Sequence, residues 1–240
     1  MIDRHTPIRL YLLVPALSAV LLSCPAQAQL EEPTNNGNQN VKLRRHCTYS
    51  VPGRPANAAN PKIVVDNVNR EPLHFRTCIG LAEKYKAKGS IAGLATLSCS
   101  GSAAFTVAQM NSMLEELVGR VVVVDLRQEP HAYITGFPLT WEADNDWYSV
   151  GMSPQQAKAA EDDLYWKLRG QLKVQAEVAS PSPAGQEPSM KNTSLSVRNV
   201  QTQEEVIRDL GLGYQRFFVT DHLRPDDATV DQFVQFLLPL

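Results

Sequence analysis

The sequence predicts an α/β protein whose sheet is covered by helices. Residues 121–124 are four consecutive valines, and a β-branched run of this kind is typical of a strand buried on both faces. Residues 91–99 form a second strand candidate. Between the two lies an amphipathic helix that begins at a Thr-x-x-Gln capping box, residues 106–109, and ends at Gly119. Strand, helix and strand form a βαβ unit, which indicates a parallel or mixed sheet.

Caps and apolar patterns predict three more helices and two more strands. Ser153 and Thr202 each open an S/T-x-x-E/Q capping box, and Pro154 occupies the first helical position after Ser153. The predicted elements are helices over residues 154–178 and 202–211, a final amphipathic helix capped by Asp226 or Asp227, and strands over residues 195–200 and 214–219.

Length and charge restrict the class of protein. The chain has 240 residues, 43% of them hydrophobic and 20% charged, which fits one globular domain with or without a subdomain. The formal net charge is -2, and no run of lysine or arginine supplies a local basic patch. We therefore expect no nucleic-acid partner, and the sequence leaves the oligomeric state open.

The first 28 residues have the pattern of an export signal. Arg4 and Arg9 precede an apolar run over residues 10–22, and an A-x-A site follows, which predicts cleavage after Ala28 and a secreted or periplasmic protein. The run is shorter than the roughly 20 apolar residues of a membrane-spanning helix, so we expect no transmembrane segment. A lipoprotein site at Cys24 is the alternative, but Leu22 fits that site poorly.

The rest of the chain divides by composition. Residues 29–45 are polar and lack a hydrophobic period, which predicts a disordered lead-in. Residues 46–240 are expected to form the domain, with a Pro/Ser/Gly-rich linker at 179–193 as its best internal boundary. After cleavage Cys47, Cys78 and Cys99 remain, so at most one internal disulfide can form.

Two loops that leave predicted core strands are rich in polar residues. Residues 125–131 read DLRQEPH and residues 220–225 read TDHLRP. In open α/β sheets ligands meet the loops at the carboxyl ends of strands. An Asp beside a His at such a position would suit a general acid, but Asp also forms turns and helix caps. Arg127 and Glu129 would equally suit a structural ion pair.

Five ordered blocks of sequence favour the functional interpretation. They are SGSAAFTVAQM (100–110), VVDLRQEPHAYITGFPLTW (123–141), NDW (145–147), VQTQEEV (200–206) and FFVTDHLRPDDATVDQFVQF (217–236). Together they resemble the protein-tyrosine-phosphatase-like phytases, and HFRT at residues 74–77 fits the same family more weakly. The resemblance covers the chain from about residue 74 to its last residue. It implies a phosphatase-like sheet flanked by helices, with a small β-rich subdomain.

The resemblance also implies a function and a set of site residues. Members of this family are cysteine-dependent phosphomonoesterases that act on inositol polyphosphates without a metal or another cofactor. By similarity, Asp221 is the general acid, His222 lies beside the substrate phosphates and Asp146 helps to hold the substrate. The residues expected to brace the pocket are Asp125, Arg127, Glu129, His131 and Arg76.

One departure from the family concerns the nucleophile. The family's catalytic cysteine lies in an HCxxGxxR loop followed by Ser or Thr, and the sequence reaches Leu240 without this pattern. Cys47 and Arg54 have six residues between them where the loop has five, and Pro55 follows Arg54. We therefore expect a C-terminally truncated domain that is inactive alone. The alternatives are a non-catalytic phosphate-binding module and an inactive remnant whose sheet lacks its central strand.

Overall fold

The computed structural model describes residues 8–13, 53, 55–85, 93, 97–117, 119–144, 147–179 and 189–239. Two β-sheets and five α-helices make up this part of the chain, which confirms the predicted α/β class. The predicted lead-in at residues 29–45 and Cys47 lie outside the described residues. Among the described residues, no helix has the length and apolar character to cross a bilayer.

The first sheet has five strands and contains the predicted βαβ unit. Its strands, in spatial order, are β11 (Gly213–Val219), β5 (Arg120–Arg127), β1 (Ile8–Leu13), β4 (Cys99–Ser102) and β3 (Arg76–Thr77). The first four run parallel, and the short edge strand β3 is antiparallel to β4. The chain passes from β4 through helix α2 (Val107–Glu115) to β5. Of the strand predicted over residues 91–99, positions 91, 92 and 94–96 lie outside the described residues; residues 97 and 98 are not in a strand, and β4 begins at Cys99.

Strand β1 occupies the middle of this sheet. It pairs with β4 over residues 10–13 and with β5 over residues 8–13, so it fills the position between them. The expected gap at the centre of the sheet is therefore closed by six residues of the N-terminal segment. These residues belong to the predicted export signal, whose cleavage stays a prediction.

The second sheet has six strands and forms the β-rich part of the molecule. In spatial order they are β10 (Val200–Gln201), β6 (His131–Ile134), β7 (Phe137–Glu142), β2 (Lys62–Val65), β8 (Lys173–Ala179) and β9 (Met190–Ser196). Strands β8 and β9 are antiparallel and pair from Lys173↔Ser196 to Ala179↔Met190. The segment 179–193 thus connects two paired strands, and its first and last residues belong to them. Residues 180–188 lie outside the described part.

Caps set the beginnings of the helices as the sequence predicted. Thr106, Ser153 and Thr202 form complete capping boxes at the starts of α2, α3 (Pro154–Arg169) and α4 (Gln203–Asp209). Asp226 caps α5 (Asp227–Leu237) and accepts a hydrogen bond from the backbone N–H of Thr229. The short helix α1 (Cys78–Tyr85) follows β3.

The predicted end of helix α3 was wrong. We expected the helix to reach Val178, but it ends at Arg169 with Gly170 as its C-cap, and β8 begins at Lys173. Residues 173–179 read KVQAEVA, in which Val174 and Ala176 are buried while Lys173 and Gln175 are exposed. This alternation is a strand period, and the partner strand β9 that stabilises it lies 11 or more residues further along the chain. The predicted strand at 195–200 is likewise divided between β9 and β10.

Two apolar clusters hold helices α2, α3 and α4 on the sheets. The first packs α2 and α4 against β5 and includes Phe105, which is fully buried, and Tyr133. The second packs α3 against the six-stranded sheet through Tyr165, Leu168 and Trp141. At roughly 25 cal/mol per Å² of apolar surface, such clusters supply most of the free energy that opposes chain entropy.

Candidate functional site

The two polar loops lie side by side at the carboxyl end of the five-stranded sheet. Strands β5 and β11 are parallel neighbours, and their last registered pair is Val219 with Arg127. The backbone N–H of Gln128 donates to the carbonyl of Val219 at 3.2 Å. The hydroxyl of Thr220 donates to the side-chain oxygen of Gln128. The loop after β5 therefore holds the loop that carries Asp221.

Asp221 sits in a tight turn next to His222. Asp221 is 8% exposed, and its carboxylate Oδ2 lies 3.0 Å from Nε2 of His222. The backbone N–H of Leu223 donates to the carbonyl of Thr220, which closes the turn. His222 has a positive φ of 59° and its side chain is 45% exposed. A non-glycine residue in this left-handed region is uncommon and marks a constrained backbone.

Asp221 is not the residue that caps the following helix. The cap of the following helix, α5, is Asp226, and the carboxylate of that residue accepts from Thr229 N–H at 2.7 Å. Asp221 precedes that cap by five residues and lies beside the loop after β5. The carboxylate is thus placed as a strand-end acid, with an exposed imidazole as its neighbour.

Beneath these loops, the carboxylate of Asp125 is the centre of a buried polar network. It is fully buried, and its Oδ2 lies 2.9 Å from His131 Nε2 and accepts from the Tyr214 hydroxyl at 2.9 Å. Its Oδ1 accepts from Arg127 N at 3.0 Å and Nε at 3.3 Å. Arg216 Nε lies 3.6 Å from Oδ2. Four side chains that together carry two fixed positive charges thus surround one carboxylate.

The network changes the acid–base properties of its members. Burial alone raises the pKa of Asp125, but the charges of His131, Arg127 and Arg216 and the hydrogen bonds outweigh it, so the pKa lies well below its ordinary value. Burial lowers the pKa of His131, and the two arginines lower it further against the opposing effect of Asp125. Burial also raises the pKa of Tyr214 well above its usual range, which keeps its hydroxyl protonated as a donor. Asp125 is therefore a fixed anion and a poor proton donor.

Arg216 and Glu161 complete the network and were not predicted from the sequence. Arg216 Nη1 donates to both carboxylate oxygens of Glu161, at 2.8 and 2.9 Å. Its Nε donates to the carbonyl of Arg127 and its Nη2 to the carbonyl of Glu129. The sequence contains one hint of Glu161, because this residue shares a buried helix face with the apolar positions 157, 165 and 168 of α3. A carboxylate buried on such a face needs a partner.

Arg127 ties this network to the second sheet and to α4. Its Nη1 lies 3.4 Å from Asp66 Oδ2, and its Nη2 donates to the side-chain oxygen of Gln203. Asp66 also accepts from the Thr140 hydroxyl at 2.9 Å. Burial raises the pKa of Asp66 to about 6, although Arg127 and Thr140 oppose the shift. Arg127 thus joins strand β5 to the residue that follows β2 and to helix α4, and its bracing role in a substrate pocket stays a prediction.

The remaining predicted site residues are placed as follows. Glu129, between β5 and β6, and His131, the first residue of β6, are each 3% exposed and belong to the network. Arg76 lies in β3, four strands away from β11, or about 20 Å at the usual strand spacing. The structure does not bring Arg76 to Asp221. Asp146 lies outside the described residues.

The described cysteines lie away from the loops. Cys99 is the first residue of β4, at the end of the parallel sheet opposite to the loops, and Cys78 is the first residue of α1. Burial and the neighbouring Cys78 raise the pKa of Cys99 to about 12, so its thiol is protonated at neutral pH. The nucleophile of a cysteine phosphatase is a thiolate, and Cys99 does not meet this requirement.

A cavity of about 700 Å³ lies between α3, α4 and β11. The residues that line it include His131, Lys158, Arg208 and Arg216, but none from the turn at 220–223. It is bounded on one side by the Arg216–Glu161 pair and is separate from the surface that presents His222.

Comparisons with known proteins agree with this geometry. Residues 124–240 match the sequence model of the protein-tyrosine-phosphatase-like phytase family, which is described by the words inositol hexakisphosphate. Effector protein hopD2 of Pseudomonas syringae pv. tomato is 30% identical over 219 residues, which cover 88% of this chain and 45% of that protein. The chain therefore spans less than half the length of this curated relative.

Solved structures share the fold. A tandemly repeated protein tyrosine phosphatase-like phytase from Mitsuokella multacida has a TM-score of 0.64 at 24% identity, over 73% of this chain and 30% of that one. The PTP-like myo-inositol phosphatase of the same organism, in complex with myo-inositol-(1,3,4,5)-tetrakisphosphate, has a TM-score of 0.65 at 24% identity, over 80% and 33%.

A PTP-like phytase from Bdellovibrio bacteriovorus is 25% identical, with a TM-score of 0.57, over 80% of this chain and 61% of that one. Residues 124–240 thus match the protein-tyrosine-phosphatase-like phytase family, and the chain shares the fold of these solved structures.

Proposed function

We propose that this chain forms the proton-donating part of a phosphatase that removes phosphate from myo-inositol polyphosphates. The observation that carries the proposal is the turn at Asp221 and His222, which the loop after β5 holds at the carboxyl end of the parallel sheet. Ligands of α/β sheets are bound at this end. The family match and the inositol phosphate bound by a structural relative support the choice of substrate.

In this proposal Asp221 protonates the leaving oxygen of the inositol. An alkoxide is a poor leaving group, and a placed general acid contributes roughly 10²–10⁴-fold to such a step. His222, which is largely exposed, would donate to phosphate oxygens of the bound substrate. Asp125 has a different role. Because its pKa is lowered, it stays ionised as the buried partner of Arg127 and Arg216 and does not donate a proton.

The nucleophile is the part that these 240 residues do not supply. The sequence has cysteines at positions 24, 47, 78 and 99, and none stands in an HCxxGxxR pattern. We expect a polypeptide of these residues to bind inositol hexakisphosphate without releasing phosphate. A colorimetric phosphate assay checks this expectation, and phosphate release that Asp221→Asn abolishes would contradict it.

Binding is tested by titration calorimetry with inositol hexakisphosphate at low salt. The wild-type chain should bind, and His222→Ala should weaken binding because a phosphate donor is lost. Asp221→Asn should bind about 3–5-fold more tightly, because it removes one negative charge a few ångströms from the phosphates. Asp231→Asn, on the exposed face of α5, is the matched control and should leave the affinity unchanged.

The outcomes separate the proposals. If the wild-type chain gives no heat, the site assignment fails. If Asp221→Asn and His222→Ala both behave like Asp231→Asn, a ligand binds elsewhere and the two residues have only a local role in the turn. If Asp221→Asn binds more tightly and His222→Ala more weakly than the wild-type chain, and no phosphate is released, the result supports a phosphate-binding surface at this turn. That conclusion does not depend on the proposed proton transfer.

We also propose that the protein is exported, on the basis of the charged and apolar pattern of residues 1–28. Expression with its own N-terminus should yield a periplasmic or secreted protein whose first residue is Gln29. N-terminal sequencing of that protein checks the prediction. A full-length product that begins at Met1 and stays in the cytoplasm would contradict it.

A further inference from the structure

Two cysteines face each other across the edge of the five-stranded sheet. Thr77 in β3 is registered with Ser100 in β4, and Arg76 with Gly101. In an antiparallel ladder the next pair in this register is Cys78 with Cys99. The two Sγ atoms are 2.8 Å apart, closer than two unbonded sulfur atoms normally approach, and both cysteines are free thiols.

The backbone around this pair suits a covalent bond. Residues directly opposite in an antiparallel pair have Cα atoms about 4.5–5.5 Å apart. Disulfides span Cα separations of about 4.4–6.8 Å. The two sulfur atoms already lie 2.8 Å apart, so closure of the bond needs only a small further approach of the two side chains. Cys99 is partly exposed while Cys78 is 7% exposed, so a thiol reagent reaches the pair from the side of Cys99.

We propose that Cys78 and Cys99 form a disulfide site that a small disulfide oxidant converts to a covalent cross-link. The small fraction of Cys99 that is thiolate attacks one sulfur of the oxidant, which releases one thiol; because the pKa of Cys99 is raised, this step is slow at neutral pH and faster at alkaline pH. The Cys78 thiol then loses a proton and attacks the mixed disulfide at Cys99, which releases the second thiol. The protein loses two electrons and two protons, and one oxidant disulfide becomes two thiols.

The cross-link has a structural consequence for the edge of the sheet. It joins the first residue of α1 to the first residue of β4, across a sequence separation of 21 residues. Among the strands that the structure describes, the two-residue strand β3, which carries Arg76, pairs with β4 alone. A bond directly after this short ladder would keep β3 in register. The site is independent of the proposed phosphatase function and would exist in a protein that binds no phosphate.

Mass spectrometry of the whole chain tests the site. After incubation with oxidised glutathione, the Cys24→Ser/Cys47→Ser variant should lose 2 Da through loss of two hydrogens, and proteolysis should yield one peptide pair that contains Cys78 and Cys99. The Cys78→Ser/Cys99→Ser variant is the matched control and should show no such loss. The oxidised form should melt about 5–10 °C above its reduced form, because the bond removes chain entropy from the unfolded state.

The result that would overturn the proposal does not depend on any variant being stable. If the oxidised wild-type chain contains no linked Cys78–Cys99 peptide, or links Cys47 to either residue instead, the site is not the one proposed. If the linked peptide forms but the melting temperature is the same in oxidised and reduced protein, the stabilising role of the bond is refuted.

Discussion

Replacement of Asp125 with alanine is expected to lower the free energy of unfolding by about 3–5 kcal/mol. The substitution removes the one carboxylate that accepts from Arg127, His131 and Tyr214 and leaves these groups buried without their common partner. Because domains are stable by only about 5–15 kcal/mol, the variant should be close to unfolding at room temperature. Urea denaturation followed by circular dichroism measures the change.

The matched control is Asp162→Ala, which makes the same chemical change at the protein surface. Asp162 forms an ion pair with Lys158 one helical turn earlier, and both side chains are more than 40% exposed. Exposed pairs of this kind contribute about 0.2–1 kcal/mol. If Asp125→Ala costs no more than this control, the network is not a stabilising unit and the buried contacts of Asp125 are energetically neutral.

The second large effect is expected at the pair of Arg216 and Glu161. Arg216→Met keeps much of the side-chain volume but removes the two hydrogen bonds that Glu161 accepts from Arg216, which leaves only that from His131 N–H, and takes one positive neighbour from Asp125. Glu161→Leu removes the carboxylate acceptor of Arg216 Nη1, while Nε and Nη2 keep their carbonyl acceptors. Each single substitution should cost about 3–5 kcal/mol, whereas the double variant should cost clearly less than the sum.

A double-mutant cycle in urea isolates this coupling. The reference pair is Arg208 with Glu204, which is exposed on α4 and should show a coupling of only about 0.3–0.5 kcal/mol. Additive costs at Arg216 and Glu161 would show that the two residues act through other partners. A coupling energy of several times the reference value would show that α3 is fastened to β11 through this pair.

Local signals in the sequence predicted the helices better than the strands. The three capping boxes depend on residues three positions apart, so the beginnings of α2, α3 and α4 follow from short stretches of sequence. The end of α3 was missed because an apolar pattern after Gly170 was taken for helix. That segment is a strand only because β9 and β2 pair with it on both sides.

The sequence singled out the two polar loops, which lie side by side in the structure, but not the buried residues that support them. Asp221, His222 and the segment 125–131 stand out because polar residues follow apolar strands. Arg216 lies within strand β11 and Glu161 within helix α3, 55 residues apart, so no local pattern connects them. Alternation in β11 places Tyr214, Arg216 and Phe218 on one face, and a charged residue on a core-facing strand is the available hint.

Residues 8–13 cannot remain in the sheet as strand β1 and also be removed with a cleaved export signal. The export machinery would have to receive these residues before they are inserted between β4 and β5, since a chain that has closed its sheet around them no longer presents a leader. Folding and translocation would then compete for the same six residues during synthesis. A mature chain that begins after Ala28 would have two half-sheets with facing open edges, and any parallel strand that enters between them would restore a continuous hydrogen-bonded ladder.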